Sequence, residues 1–191
     1  VDMNELYHKL FHKALEGSAD CDGIIAFNYF AGEPLTGTEE GRPMLVRMPD
    51  SKMTAANFMR AQLYGAIATL KIGMDMLAKE EQVESDRLLG HGGFFKTPGV
   101  GQQILADALN VPITTMETAG EGGPWGMALL AAYMQRKSDG ETMEDYLQNR
   151  VFCNATSSCL APDPAGVDGF AKWLQRYKAC LPAQQAAAQM K

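Results

Sequence analysis

Two glycine-rich segments carry the residues best suited to chemistry: Gly90-His91-Gly92-Gly93 and Ala119-Gly120-Glu121-Gly122-Gly123. Each follows a short apolar run and precedes a helical pattern. A glycine turn between the carboxyl end of a strand and the amino end of a helix leaves backbone N–H groups bare, and anionic or nucleotide ligands are the usual beneficiaries. Lys96, beside the first turn, is a candidate charge clamp, because a lysine at a helix start opposes the macrodipole. The second segment, Gly120-x-Gly122-x-x-x-Gly126, superficially echoes a dinucleotide fingerprint. The acidic residue that would bind a ribose should close a further strand, yet here a helix and a polar tail follow. The alternative reading of both turns is plain packing: glycines that only let strand and helix approach closely.

The remaining reactive side chains are sparser. His8 and His12 share one helical face at i, i+4, which suits a metal, but no third ligand stands at a metal spacing and a solvated face is the better reading. His91 has no serine or cysteine partner at a recognisable spacing, which argues against a hydrolytic triad. Cys21, Cys153, Cys159 and Cys180 are scattered, as reduced thiols of a cytoplasmic protein would be. Asn154-Ala155-Thr156 matches a glycosylation sequon without a secretory leader to give it meaning. Met53, Met59, Met74 and Met76 read as adaptable core.

The elements that must hold these residues follow from periodicity. Asn4 to Leu15 is helical, with Gly17 as its stop. Gly23 to Phe30 is a buried strand, Gly32 to Pro43 a loop, and Met44 to Met48 a second strand. A long helix starts at the N-cap Thr54 and runs to about Lys79; from Ala61 to Leu70 it is apolar almost all round, so it packs on two sides, against its own sheet and against a further helix layer or another domain. Two strand–turn–helix units come next: Asp86 to His91 with a helix from Thr97-Pro98 to Leu109, then Val111 to Met116 with a helix opened by Pro124 and ending near Lys137. That alternation predicts an α/β sheet. Beyond Ser138 the chain is more polar, with helices at Met143 to Asn149 and from Pro164, capped by Asp163, to Cys180.

Composition sets the outer bounds. With 191 residues, 46% hydrophobic and 21% charged, the chain is an ordinary folded domain with a trailing appendage, divided at residues 1–137 and 138–191. A net charge of -6 provides no field to gather nucleic acid or an anionic membrane. The apolar run Met127 to Met134 is far shorter than the ~20 residues of a membrane span. A start on Val1 suggests a piece cut from something longer.

Read whole, the arrangement resembles the C-terminal domain of FGGY-family carbohydrate kinases. The resemblance rests on Leu88-Leu-Gly-His-Gly-Gly-Phe-Phe-Lys-Thr-Pro followed by Gln103-Ile-Leu-Ala-Asp-Ala-Leu-Asn-Val-Pro-Ile. Further stretches agree in order: Asp22-Gly-Ile-Ile-Ala-Phe-Asn-Tyr-Phe-Ala-Gly-Glu, the helix around Tyr64-Gly65, and Gly123-Pro-Trp-Gly-Met-Ala-Leu-Leu-Ala-Ala. It implies a ribonuclease H-like domain of the actin/hexokinase ATPase type, a mixed sheet flanked by helices, with residues 138–191 as a helical tail. It also implies ATP against Gly92 and Gly93, with Phe94, Phe95 and Lys96 beside them, Gln103 on the next helix, and Gly122 and Gly123 at the cleft or the connection between domains. Mg2+, the sugar pocket and the aspartate base belong mainly to the other domain of such enzymes. The chain departs from the pattern at Phe94-Phe95, which either stack on adenine or fill its pocket, and at Tyr64, which replaces a glutamate.

The expected function is the nucleotide-binding half of an ATP-dependent sugar kinase, acting on xylulose or a related pentulose and inactive by itself. The alternatives are a non-catalytic nucleotide- or partner-binding regulatory module of the same fold, and a dinucleotide-dependent oxidoreductase. An orphan cleft and an apolar helix further predict self-association, with a homodimer as one form.

Overall fold

The computed structural model describes residues 2–117 and 122–190, and its first element already shows how local signals set the boundaries. Helix α1 (Met3–Leu15) is capped by Asp2, whose side chain accepts from the Asn4 N–H at 2.9 Å. It leads through a short 3-10 turn into strand β1 (Ile24–Phe27), all four residues of which are buried. β1 pairs antiparallel with β2 (Met44–Arg47), with Ile24 opposite Arg47 and Phe27 opposite Met44. Both strands are shorter than the apolar runs that announce them.

Helix α2 (Ala55–Glu80) opens as the sequence indicates: Thr54 accepts from the Asn57 N–H at 3.1 Å. Most of its apolar middle is buried inside this chain, where β1, α1 and α3 pack on the helix, while Leu70 remains 46% exposed. Met59 and Met74 pack against the core, whereas Met76 is exposed and Met53 precedes the helix. Strand β3 (Leu88–Gly90), helix α3 (Val100–Leu109) and strand β4 (Ile113–Met116) form the first strand–turn–helix unit. β3 and β4 run parallel, with Gly90 beside Thr115. Helix α4 (Gly122–Arg136) begins two residues ahead of Pro124, the residue that marks its start in the sequence. The turn residues Ala119, Gly120 and Glu121 lie outside the described residues.

The C-terminal segment is less purely helical than its composition suggests. After the short helix α5 (Met143–Tyr146) and a π-helical turn, β5 (Ser157–Leu160) joins the sheet antiparallel to β4, giving a mixed three-stranded sheet in the order β3-β4-β5. β5 escapes sequence reading because Ser157-Ser158-Cys159-Leu160 has neither a β-branched run nor clear alternation; the open edge of β4 is what makes it a strand. Helix α6 (Pro164–Ala188) runs past Cys180, where the sequence predicts its end, and through Pro182. A proline normally breaks a helix, but the alanine-rich stretch after it is a strong helix former.

The core joins both parts of the chain. Phe170, Trp173, Leu174 and Tyr177, at helical spacing on α6, are buried against β1, α2 and α3. Trp173 Nε1 donates to the Ile24 carbonyl at 2.8 Å, Tyr64 meets Trp173 edge-on at 5.3 Å, and Phe27 stacks on Tyr177 at 4.6 Å. Tyr64 earns its place through its hydroxyl, which accepts from Arg60 Nε at 3.1 Å and donates to the Ala19 carbonyl at 2.9 Å. Burial pushes its pKa up to about 12, so it holds that proton throughout the physiological range. Among the described residues no helix is long and apolar enough to cross a membrane.

Candidate functional site

The first glycine turn stands at the carboxyl end of parallel strands, the place where open α/β sheets put ligands. β3 ends at Gly90; Gly92 follows at φ 106°, a conformation open mainly to glycine, and Gly93–Phe95 form a single 3-10 turn before α3. Among the described residues no side chain caps the start of α3.

The glycines near this turn fall into two kinds. At Gly90 an added Cβ would run into the Phe95 ring, and at Gly101 into the carbonyl and ring of Phe94, so these two are glycine because the aromatic pair packs on them. At Gly93 an added Cβ would meet no described atom within 4 Å, and its φ is not positive. Neither packing nor backbone conformation within the described residues accounts for it. The second turn repeats the contrast: Gly122 lies on His91, where a Cβ would come within 2.8 Å of the His91 Cβ, while Gly123 faces open space. Gly122, at the start of α4, therefore lies against His91 of the first turn.

A cavity of about 1020 Å³ opens beside the first turn. Gly93, Phe95, Lys96 and Thr97 form one side; Tyr7, His8 and Phe11 of α1 form another; the ends of β4 and β5, Thr115 to Glu117 and Thr156 to Ser158, close it with Gln102. Its size suits a ligand of nucleotide dimensions. Phe94 and Phe95 meet edge-on at 5.6 Å and are partly buried; Phe94 turns onto α3 and Phe95 faces the cavity.

Of the residues singled out in the sequence, the structure brings Gly93, Phe95 and Lys96 to the cavity, with Gly92 in the same turn. Gln103 lies to one side, its amide donating to Asp107 Oδ1 at 2.7 Å and to the Ala161 carbonyl at 3.1 Å. Asp107 also accepts from the Asp163 N–H at 2.8 Å, which fastens the start of α6 to α3. Burial raises the pKa of this carboxyl, against the opposing pull of those two hydrogen bonds. Sequence reading passes over Tyr7, Phe11, Gln102, Thr115 and Ser158, whose approach to the turn depends on strand register and helix packing rather than on any local pattern. His8 and His12 are exposed with their Nε2 atoms 3.2 Å apart, and among the described residues no three histidine, cysteine or acidic side chains gather as a metal site.

Comparison with known proteins gives this geometry a family. The model of the FGGY family of carbohydrate kinases, C-terminal domain, matches residues 2–135, and the chain belongs to that family. A ligand-bound xylulose kinase from Lactobacillus acidophilus superposes with a TM-score of 0.71 at 21% identity, over 94% of this chain and 35% of that one. A xylulose kinase from Rhodospirillum rubrum gives 0.67 at 19% identity, over 96% and 35%. Plasmodium falciparum glycerol kinase with ADP gives 0.67 at 16% identity, over 92% and 33%. The chain thus spans 33–35% of the length of these structures, and at such identities the likeness is one of fold. The comparison with curated proteins finds no match.

Proposed function

We propose that this chain, as the C-terminal domain of an FGGY carbohydrate kinase, forms the nucleotide-binding half of an enzyme that transfers the γ-phosphoryl group of ATP to a sugar hydroxyl. The sugar is xylulose or a related pentulose, in keeping with the xylulose kinases among the similar structures. In this reading residues 1–137 are a ribonuclease H-like ATPase domain and residues 138–191 its tail. The nucleotide lies against Gly92 and Gly93, bordered by Phe94, Phe95, Lys96 and Gln103, with Gly122 and Gly123 at the edge of the cleft. The enzyme works in the cytoplasm, with no membrane or nucleic acid as partner and a homodimer as its associated form.

The observation that carries the reading is the unused room at Gly93. A glycine that neither packs nor adopts a positive φ, at the mouth of a cavity at the ends of parallel strands, leaves its backbone open to a ligand. A phosphate chain can then approach the peptide N–H groups, with Lys96 adding positive charge at the rim. Phosphoryl transfer of this kind rests on positioning and charge stabilisation, and this half contributes the positioning. Glu117 is the one carboxylate lining the cavity among the described residues, a poor cradle for a cation, so Mg2+ is held mainly by the phosphates and the other domain. The chain alone should bind nucleotide weakly and phosphorylate no sugar.

Titration of ADP into the 191-residue chain and its Gly93→Ala variant tests this. The expected result is a loss of affinity of about tenfold or more, the equivalent of roughly 1.4 kcal/mol, with an unchanged unfolding midpoint. Equal affinity in the two proteins would refute the assignment.

A further inference from the structure

Helix α1 carries two of the chain's 3 histidines, His8 and His12, one turn apart. Spacing at i, i+4 puts both rings on one face, and by this spacing a helix offers two imidazoles to a single metal ion. Exposed rings at such positions can equally swing apart into water, which is why the spacing alone reads as a solvated face. In the folded chain they converge instead: the ring centroids are 4.3 Å apart, and the two Nε2 atoms share a hydrogen bond at 3.2 Å. Such a bond needs one ring with its proton on Nε2 and the other with Nε2 bare. Moving that proton to Nδ1, a tautomer exchange through water, leaves two lone pairs directed into one space. An ion held there at the usual ~2.0–2.1 Å would see the nitrogens at about 100°, an angle that tetrahedral and octahedral shells both tolerate. The neighbouring cations on α1 are already matched, with Lys9 Nζ 2.6 Å from Glu5 Oε1 and Lys13 Nζ 2.6 Å from Glu16 Oε2.

We propose that His8 and His12 form an open two-nitrogen site for a late first-row dication of the zinc, nickel or copper(II) kind, with water in the remaining positions. Two protein ligands are too few for a closed structural site, so the ion exchanges with solvent rather than holding the fold together. Imidazole nitrogen selects these ions over Mg2+, which keeps to oxygen ligands and gives up its water reluctantly. The site is therefore separate from the Mg2+ of phosphoryl transfer, and it does not rest on the nucleotide reading. His8 also lines the cavity, which places a bound ion at the cavity rim.

Addition of zinc chloride while the imidazole proton resonances are followed tests the site. Cys153 and Cys159 are exposed and thiolates also bind zinc, so the titration uses the chain with Cys153→Ser and Cys159→Ser. His8 and His12 should shift together, with one saturating midpoint, while His91 stays still, and a large excess of Mg2+ should leave the zinc in place. A change of register then isolates the chelate. His12→Lys with Lys13→His keeps the imidazole count and the charge, but it moves the second ring from about 40° to about 140° around the helix relative to His8. Zinc affinity should fall by about tenfold or more, to the level of His8→Ala, because one imidazole no longer raises the effective concentration of the other. All three positions are exposed, so these variants should keep the unfolding midpoint of the parent. Separate midpoints for the two rings, displacement of zinc by Mg2+, or undiminished affinity in the register variant would each overturn the site.

Discussion

Helices α2 and α4 are both largely apolar, yet their positions in the molecule are opposite. α2 has nine buried residues along its 26, clasped between β1 and the helices α1 and α3. α4 has none in 15, and Met127, Leu130 and Met134 on it are 68%, 48% and 78% exposed. Hydrophobicity alone therefore does not locate a core. What separates the helices is the company the fold provides: α2 carries Tyr64 and Arg60, whose polar atoms are satisfied by carbonyls of the segment after α1. If the chain self-associates, as an exposed apolar helix predicts, Met127, Leu130 and Met134 of α4 offer it more apolar surface than the buried stretch of α2 does.

The contrast can be broken or sharpened by matched substitutions. Ile67→Ala, in the covered part of α2, should lower unfolding free energy by about 2–5 kcal/mol in a denaturant titration, since Ile67 is 5% exposed and its removal leaves a cavity. A loss below about 1 kcal/mol would mean that α2 is less tightly enclosed than it looks. Tyr64→Phe should cost about 1–3 kcal/mol, because the Ala19 carbonyl and the Arg60 guanidinium each lose a buried partner. That loss should hold across neutral and moderately alkaline pH, as the hydroxyl stays protonated up to about pH 12. Leu130→Ala on α4 should stay within about 0.5 kcal/mol of the wild type while reducing light scattering at high concentration. A large destabilisation there would show that α4 is covered in solution.

The same contrast explains how much was legible beforehand. The starts of α2 and α6 were, because Thr54 and Asp163 are side-chain caps that act within three residues. The glycine turn at Gly90 to Gly93 was also visible, since its chemistry is local. β5 was not: a Ser-Ser-Cys strand depends on the free edge of β4. The lining of the cavity was out of reach for the same reason, because Gln102 and Ser158 are 56 residues apart and meet only through the packing of α3 on β5. Nor could spacing tell Gly90 from Gly93; the positions of Phe94 and Phe95 separate a glycine needed for packing from one that leaves room.

The account stands on that room being used. Backbone amide shifts recorded while ADP is added to the chain test it most directly. The predicted result is a saturable set of changes concentrated at Gly92 to Thr97, Thr115 and Ser158, with the buried stretch of α2 unmoved. Saturable binding that leaves the glycine turn unperturbed, or no shift at any ADP concentration, would contradict it.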